Sequence, residues 1–217
     1  MKQAIITGAE TFGDYIMNPS KWLALSANGK TIAGYNINSM VFSCTVCVPT
    51  SCDNPGQLIV QKATEIDADV VISFGIKSSA QGIKLERSGT NWVNNEKYLL
   101  PSENNKPLEP SLPAKQQIQS DLSYWDIDKM HRLLAESNIK FESDISDSAG
   151  LYVCNGWIYR TLLAMDEKQL KIPYLFVHLP CTEESIELIP DFDRTNKTLI
   201  KKEDTLKVLE IILSSLK

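Results

Sequence analysis

The chain has 217 residues, 43% of them hydrophobic, and a formal net charge of −5. That length suits one α/β domain with a substantial core. An acidic balance without blocks of like charge points away from nucleic acid as a partner. The longest apolar runs, such as Val70-Val71-Ile72-Ser73-Phe74, are far too short to span a bilayer, so no membrane partner is expected. Five cysteines, an odd count, do not resemble a disulfide framework. The chain opens on a strand pattern rather than a secretory signal, and the expected location is the cytoplasm.

In chain order, residues 3–8 read as a first strand. Asn18-Pro19-Ser20 marks a helix start, and Gly29 its stop. A β-rich stretch covers 37–48. A helix covers 55–66, with Leu58, Ile59, Ala63 and Ile66 on one face. The apolar run 69–75 has the pattern of a central parallel strand. Residues 87–120 are polar, contain Pro101, Pro107, Pro110 and Pro113, and show no sustained period; they read as an irregular, mobile loop. A helix over 126–137 carries Ile127, Met130, Leu133 and Leu134. A strand is predicted at 139–145, a helix at 153–166 and a strand at 173–179. An amphipathic helix from Lys202 to Leu216 closes the chain. Strands alternating with helices imply a single α/β domain over 1–217, with a mostly parallel central sheet covered on both faces. Such sheets hold their sites at the carboxyl ends of the strands.

Three residues fall near that edge. Cys154 follows the small residues Asp147-Ser148-Ala149-Gly150 and opens a helix, where backbone N–H groups and the macrodipole favour a thiolate. His178 lies near the end of a buried strand. The other histidine, His131, lies off its helix's apolar stripe and reads as solvated. Glu86, in Leu85-Glu86-Arg87, comes shortly after the strand that ends at Gly75. A thiolate to attack a carbonyl, an imidazole to move protons and a carboxylate to orient the imidazole make a nucleophilic triad. Backbone N–H groups near Cys154 are candidates for holding the oxyanion. Cys44-Thr45-Val46-Cys47, with Cys52 nearby, lacks the ligands for zinc and the helical setting of a redox pair, and reads as strand packing. Cys181 follows His178 by three residues and either shapes the pocket or plays no part. Gly8 to Gly13 lacks GxGxxG, and no Gly-Lys-Ser/Thr follows, so a nucleotide loop is a poor second reading.

Four segments in order resemble the pyroglutamyl peptidase I (pyrrolidone-carboxylate peptidase) family of cysteine peptidases, and the resemblance covers essentially the whole chain. They are Thr7-Gly8-Ala9-Glu10-Thr11-Phe12-Gly13 with Asn18-Pro19-Ser20; Leu85-Glu86-Arg87 with Asn91; Ser148-Ala149-Gly150-Leu151-Tyr152-Val153-Cys154-Asn155; and Phe176-Val177-His178-Leu179-Pro180. The resemblance implies an α/β/α sandwich and removal of N-terminal pyroglutamate from peptides through a thioester. Cys154 would be the nucleophile, His178 the base and Glu86 its partner. It implies no metal or cofactor, small peptides with a blocked N-terminus as substrates, and a homo-oligomer, a tetramer or dimer.

The substrate pocket implied by the same match is Phe12, Ala9, Tyr152, Val153 and Ile76. Ala9 stands where the family usually has Phe, and Ile76 where it usually has Gln. Lys77-Ser78-Ser79 replaces a small, Gly-rich turn, and a family Arg falls near Glu96-Lys97. These departures leave two alternatives open: the same thiol chemistry on another small acyl or cyclic amide group, or a silent binding homologue.

Overall fold

The structure is a computed structural model that describes residues 1–11, 13–44, 54–189, 192–195 and 197–217. Strand β1 (Lys2–Ala9) is buried from Ala4 to Ala9, because it has a parallel partner on each side. Strand β3 (Tyr35–Phe42) pairs along its whole length, and β4 (Val70–Ile76) pairs with Ala4 to Thr7. Strand β8 (Tyr174–Leu179) runs parallel to β4, with Gly75 opposite His178. Short antiparallel strands finish the sheet: β2 (Thr31–Ile32) on β3, and β5 (Lys84–Glu86) on β8. The six-stranded order is β2-β3-β1-β4-β8-β5.

Alternation along the strands divides the core in two. Ala4, Ile6, Ile72, Phe74, Leu175 and Val177 face one layer with Leu23, Met130, Leu134, Leu209 and Ile212. Those partners belong to α1 (Pro19–Ala27), α3 (Ile127–Glu136) and α6 (Asp204–Ser214). Ile5, Val71 and Phe176 face the other layer with Ile59, Ala63, Ile158 and Leu162, from α2 (Pro55–Glu65) and α4 (Val153–Glu167). Each fully buried aliphatic side chain contributes about 1.5–3 kcal/mol. The result is a helix–sheet–helix sandwich, as the alternating pattern implies.

Several local expectations change. Residues 139–145 form no strand; they run beside the sheet edge with a bridge from Ile83 to Phe141 and Glu142 paired with Lys84, and Glu86 meets Ser146 just beyond. Glu86, expected only to follow the strand that ends at Gly75, lies in a short edge strand of its own. The stretch 87–120, expected to be irregular throughout, contains a two-stranded antiparallel ladder of β6 (Ser88–Thr90) and β7 (Gln117–Gln119). Between these strands the order comes from polar side chains bonding distant backbone, which a search for apolar period does not detect. The buried Asn91 donates to the carbonyls of Glu109 and Pro113 and accepts from the Glu109 N–H. Arg160 of α4 reaches Glu109 at 2.9 Å. Gly89 permits this ribbon to lie on α4: a Cβ there would stand 2.3 Å from the backbone nitrogen of Tyr159.

The loop from β1 into α1 shows what Asn18-Pro19-Ser20 does. Asn18 caps the helix through the Ser20 N–H and ties back to the Glu10 carbonyl, while Ser20 Oγ accepts from the Ala9 N–H. Proline at the first helical position costs no hydrogen bond. The segment thus joins the carboxyl end of β1 to the helix start. Among the described residues, no helix is long and apolar enough to cross a membrane.

Candidate active site

Three neighbouring strands present one face to the start of α4. On β8, His178 lies opposite Gly75 of β4 and Lys84 of β5, and Glu86 is its diagonal neighbour on β5. Diagonal pairs on one face lie within reach of long side chains. Here His178 Nδ1 and Glu86 Oε1 are 2.7 Å apart, and both residues are buried. Phe176 packs its ring edge-on to the imidazole, centroids 5.1 Å apart.

Cys154 descends onto this face from above β4. Its Sγ lies 3.1 Å from where a Cβ on Gly75 would be. The strand glycine is therefore the floor under the thiol, one strand from the imidazole. Gly75→Ala crowds both Sγ and the Phe176 ring. Its expected outcome is a folded protein whose turnover falls by about 10²-fold, as for a displaced reacting group, read by kcat and melting temperature together.

The helix start has an open character. Tyr152 occupies the cap position with no side-chain bond to the first turn, and the first helical backbone bond runs from the Gly156 N–H to the Tyr152 carbonyl. The N–H groups of Val153, Cys154 and Asn155 precede it. Asn155 is buried and locks the ribbon to this turn: it accepts from the Thr90 N–H and donates to the Thr90 and Trp92 carbonyls. The sequence reading assigned Asn155 no role. Its signal was a buried amide placed directly after the thiol.

The electrostatics correct one expectation. A helix start was expected to hold Cys154 as thiolate. Burial instead pushes its thiol up to about 12, and Cys44 and Glu86 push the same way; only Lys77 and the backbone act against them. The resting thiol is protonated. For His178, burial lowers the pKa below the ordinary 6.5 despite the bond to Glu86, so the imidazole rests neutral. Burial raises the Glu86 carboxyl, but His178, Ser146 and Lys77 together hold it below the usual carboxylate range. The site thus holds a neutral, partly exposed thiol beside a buried neutral imidazole and a buried anionic carboxylate.

These shifts carry a stability consequence. A histidine whose folded pKa is depressed binds fewer protons folded than unfolded, so stability falls as pH drops below 6.5 toward the folded pKa. Glu86 adds a further loss as pH falls below its ordinary value of 4.5. Melting temperature is therefore expected to fall on acidification from pH 7, and His178→Gln is expected to flatten the first part of that fall.

A pocket of about 220 Å³ opens beside the thiol. Ala9, Ile76, Tyr152 and Val153, four of the five residues implied by resemblance, line it with Cys154. The fifth, Phe12, lies outside the described residues, as do Cys47 and Cys52. Cys44, just beyond β3 rather than within it, also lines the pocket, and its thiol contacts the Glu10 carbonyl. Cys181 is buried beside Ile76 and Ile186, apart from the pocket wall. Asn94 and Asn95 contribute polar lining, whereas the exposed Glu96 does not. Lys97 lies over the ring of Tyr98, which stacks on Tyr152. His131 is exposed, as expected. Among the described residues, no three His, Cys, Asp or Glu side chains gather as a metal site requires.

A family model described as pyroglutamyl peptidase matches residues 2–209. The chain belongs to the pyroglutamyl peptidase family. It is 27% identical over 206 residues to a pyrrolidone-carboxylate peptidase of Bacillus cereus, covering 93% of this chain and 89% of that one. The corresponding protein of Brachyspira hyodysenteriae is 27% identical over 214 residues, 98% of each chain. Among solved structures, the pyrrolidone carboxyl peptidase of Thermococcus litoralis superposes with a TM-score of 0.79 at 21% identity, covering 100% of this chain and 93% of that one. A mutant form from Pyrococcus furiosus also gives 0.79, at 22% identity, covering 99% and 97%. These two structures share the fold. As a pyroglutamyl peptidase family member the chain falls among peptidases, and the four ordered segments that resembled the family all lie within the matched residues.

Proposed function

We propose that this protein is a cysteine peptidase that removes N-terminal pyroglutamate from peptides, with Cys154 as nucleophile, His178 as general base and Glu86 as the residue that orients it. The observation that carries this reading is the buried 2.7 Å contact between His178 Nδ1 and Glu86 Oε1, one strand from the thiol. Because Nδ1–H donates to the carboxylate, Nε2 is the free lone pair, the tautomer a general base needs.

The reaction follows from the charges. Attack and deprotonation are coupled, since the resting thiol is neutral. The Sγ–carbon bond forms as the thiol proton passes to His178 Nε2, and Glu86 stabilises the resulting imidazolium. The carbonyl oxygen takes up negative charge, for which the N–H groups of the α4 start, left without a side-chain cap, serve as donors. Collapse breaks the carbon–nitrogen bond, and His178 returns its proton to the leaving amine. Water, deprotonated by His178, then attacks the thioester, releasing the cyclic acid and restoring the thiol. No cofactor enters the scheme. By resemblance the enzyme works in the cytoplasm as a homo-oligomer, for which light scattering is the test.

Ala9 and Ile76 in the pocket wall favour a second reading, the same chemistry on a different small acyl or cyclic amide group. A panel of N-terminal groups on one fluorogenic amine separates the two. Pyroglutamyl is expected to be cleaved with the highest kcat/KM. Preference for another acyl group selects the second reading, and no turnover of any by folded protein removes both.

A further inference from the structure

The turn after β4 places a cation against the triad. Lys77 is the first residue beyond the strand, with its N–H bonded to the Leu179 carbonyl and its own carbonyl closing a turn with the Ala80 N–H. Backbone anchoring on both sides fixes where the side chain starts. Its Nζ lies 3.3 Å from Glu86 Oε1, the same oxygen that faces His178 Nδ1. The carboxylate is fully buried, while the lysine side chain keeps 29% of its surface exposed. Among the described residues Lys77 is the one lysine or arginine paired with Glu86, and Glu86 Oε2 has no hydrogen-bond partner; a buried carboxylate with a single cation in contact depends on it for its charge.

We propose that Lys77 is a positioning residue for the His178–Glu86 pair: it holds the buried carboxylate by the oxygen the imidazole uses and sets the positive potential in which His178 takes up its proton. This rests on the triad assignment above. Anchoring by Lys77 keeps Oε1 in place and anionic, which preserves the Nδ1–H tautomer. The cation also opposes a second positive charge on the ring, which makes the imidazolium the better acid when the leaving amine must be protonated.

Lys84 lies opposite His178 on β5 but is paired with Glu142, close to Asp144. Cys154, on α4, rests neutral. Ser146, at the bridge to Glu86, contributes a hydroxyl without charge. Among the described residues Lys77 is thus the lysine or arginine in contact with the pair, and it also acts on Glu142 from a distance.

The experiment titrates the two histidine C2–H signals by NMR in wild type, Lys77→Met and Lys77→Arg, with exposed His131 as internal reference. In Lys77→Met the His178 midpoint is expected to move to higher pH while His131 stays, and in Lys77→Arg it is expected to return toward wild type. On the best substrate of the acyl panel, Lys77→Met is expected to lower kcat about tenfold with KM little changed, the size of a lost charged hydrogen bond, and to carry the acid limb of kcat/KM upward. An unchanged His178 midpoint in folded Lys77→Met overturns the proposal. Because the titration uses no substrate, failure of the peptidase reading leaves this answer intact.

Discussion

Cys154→Ala is expected to lose hydrolysis of a pyroglutamyl fluorogenic amide by about 10⁴-fold or more, the scale on which covalent catalysts fail without their nucleophile. The fold is expected to survive. Alanine removes one sulfur atom from a site that borders a pocket, so the melting temperature is expected to fall by only about 2–4 °C, as for a change of about 1 kcal/mol in a chain of this size. Cys44 shares the pocket and its thiol is likewise pushed up to about 12 by burial. Cys44→Ala therefore serves as the matched control, with activity retained within a few-fold. Hydrolysis by Cys154→Ala at the wild-type rate, with the pure protein folded, would reject the nucleophile assignment and the mechanism with it. Loss in Cys44→Ala equal to that in Cys154→Ala would reject it too, because the two thiols would then be indistinguishable.

Glu86→Gln is expected to reduce kcat by about 10³–10⁴-fold with KM changed little, because a triad carboxylate acts on the transition state rather than on substrate binding. The amide is almost the same shape. It can turn its NH₂ toward Nδ1 and thereby stabilise the opposite tautomer, with Nε2 protonated and unable to accept the thiol proton. It also offers no negative charge to the imidazolium. Glu86→Ala separates catalysis from stability. It leaves a half-buried Lys77 without its buried anion and His178 Nδ1–H without an acceptor, and is expected to cost about 3–5 kcal/mol of stability as well. Circular-dichroism melts beside steady-state kinetics read both effects. Near wild-type kcat in a stable Glu86→Gln protein would show that the carboxylate plays no part in the reaction.

Much of this architecture is written locally. The stripe Ile127, Met130, Leu133, Leu134 has helical period, and α3 forms there with Met130 and Leu134 fully buried. The apolar run before Gly75, broken only by Ser73, is satisfied by burial on both faces, and β4 is indeed central. Asn18-Pro19-Ser20 contains a cap acceptor and a residue suited to the first helical position, so α1 starts where the motif says. Cys154 and His178 were singled out for the same reason: one opens a strongly patterned helix and the other lies near the end of a strongly patterned strand, the side of a parallel sheet where sites gather.

The remainder depended on partners far away in the chain. Residues 139–145 have an acceptable strand composition but run beside the outer edge of β5 with a single bridge, Ile83 to Phe141, and the Lys84–Glu142 pair in place of a ladder. Three residues are too few for a period, so β5 and its Glu86 carried no strand signal of their own; pairing with β8 made them one. The stretch 87–120 looked featureless because Asn91, Asn155 and Arg160 order it through bonds to backbone and carboxylate, and polar satisfaction leaves no apolar rhythm. Tertiary structure likewise decided the charge state of the site. A helix start alone favours a thiolate, but desolvation within the assembled pocket outweighs a partial charge. Sequence by itself determined the layers and the family, and it singled out Cys154 and His178 as the residues to be tested. Only the fold determined that a lysine from the turn after β4 meets the buried carboxylate, since electrostatic neighbours are set by three-dimensional distance and dielectric, which no local pattern encodes.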